Sequence, residues 1–206
     1  LGPTSATTPP LGTVTEISLR IGAPWISWDR FWTSIIEFCN LPVAGWSEVL
    51  PERKMPGADW FPGATTNMAA QILRHAQDKP DATALVLQSE TFGREELTWA
   101  QLRDRVGSVQ AALRAMGVER GDRVVAVLPN TQDALVAFLA TIGLGAVWSL
   151  CAPDMGHTAI IDRFRQIDPK VLIAQDGYVH AGRQIDRREA NVSAGGGRGR
   201  DGSDDE

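Results

Sequence analysis

Arg123-Val124-Val125-Ala126-Val127-Leu128, closed by Pro129-Asn130-Thr131 and followed by Ala134-Leu135-Val136-Ala137-Phe138-Leu139-Ala140, decides the fold of this 206-residue chain. The first run is apolar at consecutive positions rather than alternating, the pattern of a strand covered on both faces. Asn130 or Thr131 is placed to cap a helix that continues to about Leu144. Ala146–Leu150 is the next short strand. His157–Ile167 is a helix with Ile160, Ile161, Phe164 and Ile167 inward, and Pro169 stops it. Val171–Ala174 is a third buried strand. Strands separated by helices predict right-handed crossovers and a mainly parallel sheet, an α/β fold.

Upstream, Thr98-Trp99-Ala100-Gln101 fits a capping box, with Leu97 and Leu102 at the positions of a hydrophobic staple. Leu102, Val106, Val109, Leu113 and Met116 follow at spacings of four and three, a helical stripe ended by Gly117. Ala82–Gln88 is an apolar run suited to a buried strand, and Thr91-Phe92-Gly93 turns the chain toward Glu95-Glu96-Leu97. Thr65 or Thr66 is placed to cap a helix reaching about His75, and Ser27–Phe38 is a helix with Phe31, Ile35 and Phe38 on one face. Pro42, Gly45, Pro51, Pro56 and Gly57 make the segment 40–60 irregular. Four regions result: a flexible arm over 1–24, a helical and irregular region over 25–80, an α/β sheet subdomain over 81–188, and a tail over 189–206. The tail holds Gly195-Gly196-Gly197 and a final Asp/Glu cluster, offers little to bury, and is expected to be disordered.

A net charge of −5 argues against a general nucleic-acid surface, and the short Gly/Arg tail is offset by its acidic end. The longest apolar stretch, Ala134 to Leu150, is broken by Thr141, Gly143, Gly145 and Ser149, so it reads as core and no membrane span is expected. The first ten residues lack a signal-peptide pattern, and a start at Leu1 without Met suggests that the chain begins inside a longer protein. Two distant cysteines, Cys39 and Cys151, fit a reduced, cytoplasmic protein.

The chain has no G-x-x-x-x-G-K-[ST] loop, no G-x-G-x-x-G after a strand, and no ligand spacing for a metal. Ser149 is outside any G-x-S-x-G elbow. Cys151 and His157 suggest a nucleophile and base, but a buried thiol at a strand end is the simpler reading. Trp60-Phe61 and Trp148 read as packing residues before they read as stacking platforms for a ligand.

Three segments carry a resemblance: Met55-Pro56-Gly57-Ala58-Asp59-Trp60-Phe61-Pro62-Gly63-Ala64-Thr65-Thr66-Asn67; Ala137-Phe138-Leu139-Ala140-Thr141 through Asp154-Met155-Gly156; and Asp162-Arg163-Phe164-Arg165-Gln166-Ile167-Asp168-Pro169-Lys170-Val171-Leu172, continuing into Asp176-Gly177-Tyr178. Spread over most of Trp25 to Arg188, they resemble the acetoacetyl-CoA synthetases of the acyl-adenylate-forming superfamily (AMP-dependent synthetases and ligases). The resemblance implies the N-terminal subdomain of such a synthetase, with a mainly parallel sheet covered by helices. It implies an acetoacetate–CoA ligase of ketone-body and lipid metabolism. In that reaction ATP and a keto acid give an acyl-adenylate and pyrophosphate, and coenzyme A then displaces AMP.

For the complete family enzyme the resemblance implies ATP, Mg2+ and CoA, with none expected to bind tightly to this chain alone. The phosphate loop, the magnesium-holding segments and the catalytic lysine of the family all belong to segments downstream of the part matched. Lys54, Lys79 and Lys170 match none of them, so the chain is expected to be an inactive N-terminal fragment with no catalytic and no metal residue of its own. One edge of the coenzyme A site is implied at Arg183, at the place of a basic residue meeting the nucleotide 3′-phosphate, and at Asp154, in a turn near coenzyme A. The residues alone also allow Arg183 to be a solvated surface arginine and Asp154 to be the N-cap of the following helix. The other reading of the whole chain is a non-catalytic binding module built on the same subdomain.

Overall fold

The computed structural model describes residues 28–54, 56–89, 93–180 and 182–188. The arm expected over 1–24, the tail from 189, and the turn residues Thr91 and Phe92 lie outside them. Two compact units divide at Thr66 and Asn67.

Within the first unit, helix α1 (Trp28–Phe38) is followed by irregular chain closed by an antiparallel bridge between Ala44 and Thr65. Gly45 and Gly63 make that bridge possible. Both have positive φ, and a Cβ on either would stand 3.0 Å from the other's carbonyl oxygen. The aromatic residues pack on one another edge to face, Trp32 on Trp60 at 6.1 Å and Trp46 on Phe61 at 5.2 Å.

The second unit opens with α2 (Met68–Leu73) and α3 (His75–Asp78). The cap of α2 is Asn67, not Thr65 or Thr66: its Oδ1 accepts from the Ala70 amide at 3.1 Å, while its amide donates to the Gly143 carbonyl. Strands β1 (Thr83–Ser89) and β2 (Gly93–Thr98) form a separate antiparallel ribbon. The buried strand expected over Ala82–Gln88 is therefore half-solvated. Its partner is the charged run Gly93-Arg94-Glu95-Glu96, which sets Val86 opposite Glu96 and leaves Val86 44% exposed.

Helix α4 (Trp99–Ala115) starts with the expected capping box: Thr98 Oγ1 accepts from the Gln101 amide, and Gln101 Oε1 accepts from the Thr98 amide. Leu102, Val106 and Leu113 are buried, and Gly117 exits at φ 78°. Met116 does not join the stripe, because it is the C-cap and stands 60% exposed; Val118 enters the core in its place.

Strands β3 (Arg123–Val127), β4 (Val147–Cys151) and β5 (Val171–Ala174) form a parallel sheet in the order β4-β3-β5. Alternate residues of β3 explain its unbroken apolar run. Val124 packs with Leu139 and Ala140 of α5 (Gln132–Gly143) and with α4, whereas Val125 and Val127 pack with Ile160 and Phe164 of α6 (His157–Arg165). Helix α6 stops two residues earlier than expected: Ile167 donates to the Phe164 carbonyl, and Asp168 takes a left-handed φ of 44° ahead of Pro169. Lys170 then ties three elements together, donating to the Gly117 carbonyl at the end of α4 and to Asp122 Oδ2 just before β3.

The sequence reading did not anticipate β6 (Gly177–His180) and β7 (Arg183–Asp186), an antiparallel hairpin after β5. Gly177 is required there, since a Cβ would come within 2.4 Å of the Ile185 carbonyl oxygen.

Candidate functional site

From the central strand β3 the chain leaves through α5 to β4 on one side, and β5 lies on the other side, so the strand order reverses between β3 and β5 at their carboxyl ends. That is the topological switch at which open α/β sheets bind ligands. The loop Leu128–Thr131 after β3 flanks it, and a second loop, Ala152–Gly156, follows the neighbouring strand β4. Thr131 is the N-cap of α5 but makes no side-chain cap bond, and its buried hydroxyl has no partner among the described residues. It lines a cavity of about 330 Å³ with Asn130, Gln175, Tyr178 and Gln184, at the carboxyl ends of β3 and β5. The described side chains around that cavity are neutral, so it offers hydrogen bonds rather than charge.

Asp154 sits in the second loop. It is exposed and does not cap α6: the N-cap is Gly156, without a side-chain bond. The turn holding Asp154 is built by its neighbours. Pro153 is buried, the Met155 amide donates to the Ala152 carbonyl at 3.2 Å, and the Met155 side chain packs against the core on the α6 face. Arg183 opens β7, exposed, and no ion pair engages it among the described residues. No hydrogen bond or ion pair joins Arg183 to Asp154 directly among the described residues; the link between their carriers is Arg187. Its Nη2 donates to the Met155 carbonyl at 3.0 Å, and its backbone amide donates to the Asp176 carbonyl at 2.6 Å. The sequence reading missed Arg187, because a side chain that acts through a distant carbonyl leaves no local pattern.

Arg188 is committed elsewhere. Side-chain hydrogen bonds from its guanidinium hold the Asp186 carboxyl down, from an ordinary value of 3.8 to about 2. A depressed carboxylate contributes above its unfolded-state value and loses that contribution as pH falls through its folded-state value. The Asp186–Arg188 contact is therefore expected to be complete at pH 5 and to loosen between pH 4 and about 2. Carbon-detected titration of the Asp186 carboxyl should give a midpoint near 2, and Arg188→Ala should return it to the ordinary range. A wild-type midpoint near 4 would show that this contact does not form in solution.

Cys151 is 1% exposed, and burial pushes its thiol above the ordinary value, with the Arg163 guanidinium pulling the other way. A thiol so covered and held protonated is no nucleophile, which leaves the packing role. Trp148 likewise packs against Phe138, ring centres 6.3 Å apart. Among the described residues no three His, Cys, Asp or Glu side chains are placed to hold a metal ion, and no helix is long and apolar enough to cross a membrane.

The family model of AMP-binding enzymes matches residues 72–198, more than half of the chain, and the chain belongs to that family. Acetoacetyl-CoA synthetases are among its relatives within the family. The enzyme of Rhizobium meliloti (strain 1021) is 39% identical over 157 residues, covering 76% of this chain and 24% of that protein. The enzyme of Macaca fascicularis is 36% identical over 169 residues, covering 79% and 25%. The solved acetoacetyl-CoA synthetase from Streptomyces lividans superposes with a TM-score of 0.77 at 46% identity, over 81% of this chain and 26% of that one. The α/β unit is thus the fold of an N-terminal part of such a synthetase, and the chain spans about a quarter of the length of the relatives it matches.

Proposed function

We propose that this chain is the front portion of an acid–thiol ligase that joins acetoacetate to coenzyme A. The complete enzyme would use ATP and Mg2+ to form the acyl-adenylate and release pyrophosphate, and coenzyme A would then displace AMP. The observation that carries this reading is the 46% identity to the Streptomyces lividans synthetase across 81% of the chain. Cytoplasmic ketone-body or lipid metabolism is the setting that such an enzyme suits. The contribution of the chain itself is a scaffold plus one edge of the coenzyme A site, with Arg183 toward the 3′-phosphate and Asp154 in the neighbouring turn. A guanidinium fork suits a phosphate, because it donates two hydrogen bonds to its oxygens.

We further propose that the 206-residue chain does not carry out adenylation by itself. Preorganised charge around the transferring phosphate supplies much of the rate in such chemistry, and the basic residues Arg123, Lys170 and Arg188 are already spent on structural contacts. Among the described residues no strand pairs with the outer edge of β4, where Val147 is 50% and Leu150 42% exposed, which supports a scaffold that other sheet or helix covers. The purified chain is expected to release no pyrophosphate from ATP and acetoacetate. The same residues substituted into the matching part of the Streptomyces lividans enzyme are expected to sustain acetoacetate-dependent release. Turnover by the chain alone would refute the inactivity, and a folded chimera without acetoacetate-dependent turnover would refute the ligase reading.

A further inference from the structure

We infer that Arg187 is a positioning residue, which sets the Asp154 turn against the Arg183 face of the β6–β7 hairpin. The inference rests on the reading of that edge as a site for the phosphorylated nucleotide end of coenzyme A. Side chains alternate along β7, so Arg183 and Ile185 share a face, and Arg187, just beyond the strand, continues it. From that face the Arg187 guanidinium crosses to the β4–α6 loop and donates to the Met155 carbonyl at 3.0 Å. Met155 is the residue next to Asp154, and its side chain is already fixed in the core beside α6. The carbonyl bond therefore fixes the backbone of the turn beside a side chain already held by packing.

The hairpin end of the link is equally fixed. The Arg187 amide is bound to the Asp176 carbonyl, and Gly177 lets the two strands close at the adjoining register position, Gly177 opposite Asp186. Arg187 Nε is buried with no hydrogen-bond partner among the described residues. A buried donor kept without an acceptor is costly, so the guanidinium is not held for its own satisfaction. Its neighbour Arg188 has no such reach, since it is spent on Asp186.

The test has two readouts. Amide hydrogen exchange is followed in the 206-residue chain over residues 153–157 and over β3. Binding of adenosine 3′,5′-bisphosphate, the probe for the nucleotide end, is followed by calorimetry in the chimera with the Streptomyces lividans enzyme, since the chain alone is not expected to hold it tightly. A charge-assisted hydrogen bond corresponds to about tenfold or more in an equilibrium, so Arg187→Ala should speed exchange in the turn about tenfold and leave β3 unchanged. It should also weaken the bisphosphate by about the same factor, and Arg187→Lys, which still reaches one carbonyl, should recover part of both. If Arg187→Ala does not fold, Arg187→Gln, a neutral donor, should show the same loosening in smaller degree. Unchanged exchange in the turn, in whichever variant folds, overturns the inference. Absence of bisphosphate binding in the chimera that keeps Arg187 instead overturns the coenzyme A reading of the edge, and the exchange result still decides the role of Arg187.

Discussion

Replacing Leu139 with Ala is expected to lower the unfolding free energy by about 2–5 kcal/mol, the range for an aliphatic side chain deleted from a packed core. Leu139 is fully buried on the inner face of α5, in a cluster with Val124 of β3, Leu102 and Val106 of α4, and Ala69 of α2. Four elements meet there, and two are tied to distant parts of the unit: α2 to the end of α5 through Asn67 and the Gly143 carbonyl, and the end of α4 to the start of β5 through the Gly117 carbonyl and Lys170. Inward movement of α2 or of the end of α4 would strain those bonds, so the cavity should stay largely open and the loss should fall in the upper half of the range. For a unit of this size the melting temperature should drop by roughly 5–15 °C. Urea unfolding followed by tryptophan fluorescence measures it. A loss under about 1 kcal/mol would mean that this face of β3 is not the principal core.

The elements that sequence patterns report well are those whose signals are local. The capping box at Thr98 and Gln101, the stripe Leu102-Val106-Leu113 and the stop at Gly117 depend on residues within one or two turns of one another, and all are present. The unbroken apolar run of β3 needs only that both faces be covered, which α5 and α6 accomplish. Signals that depend on a distant partner were not readable. Ala84-Leu85-Val86-Leu87 looks like a buried strand until its neighbour proves to be Glu95-Glu96 of β2. Asp154 has the right side chain to cap α6, but the backbone places Gly156 at that position. Arg187 acts through a carbonyl thirty-two residues earlier, and no periodicity encodes that. The candidate edge itself became visible through resemblance for Arg183 and Asp154. What the structure adds is the turn and the hairpin that carry them and the side chain that links those two.

Phe164→Ala should have the other large effect, about 3–5 kcal/mol, and a more local one. Phe164 is 2% exposed and packs with Val125, Val127, Cys151 and Ile160. Helix α6 has nine residues, and Ile160 and Phe164 are its only fully buried side chains. With one of the two gone, the helix should detach from the sheet face while the α4–α5 side, built from different residues, keeps its packing. Cys151 reports this directly. Burial now raises its thiol pKa, so uncovering it should lower that value toward the ordinary one, raise the thiolate fraction and open a path for reagent. In a Cys39→Ser background, labelling of Cys151 by an aromatic disulfide should accelerate at least tenfold in the Phe164 variant, under conditions where global unfolding remains rare. Since α6 begins immediately after the Asp154 turn, the same variant should also speed exchange at residues 153–157. Slow Cys151 labelling in a folded variant would show that α6 is held by something other than this cluster. The Asp154 turn would then have an anchor independent of the core beneath it.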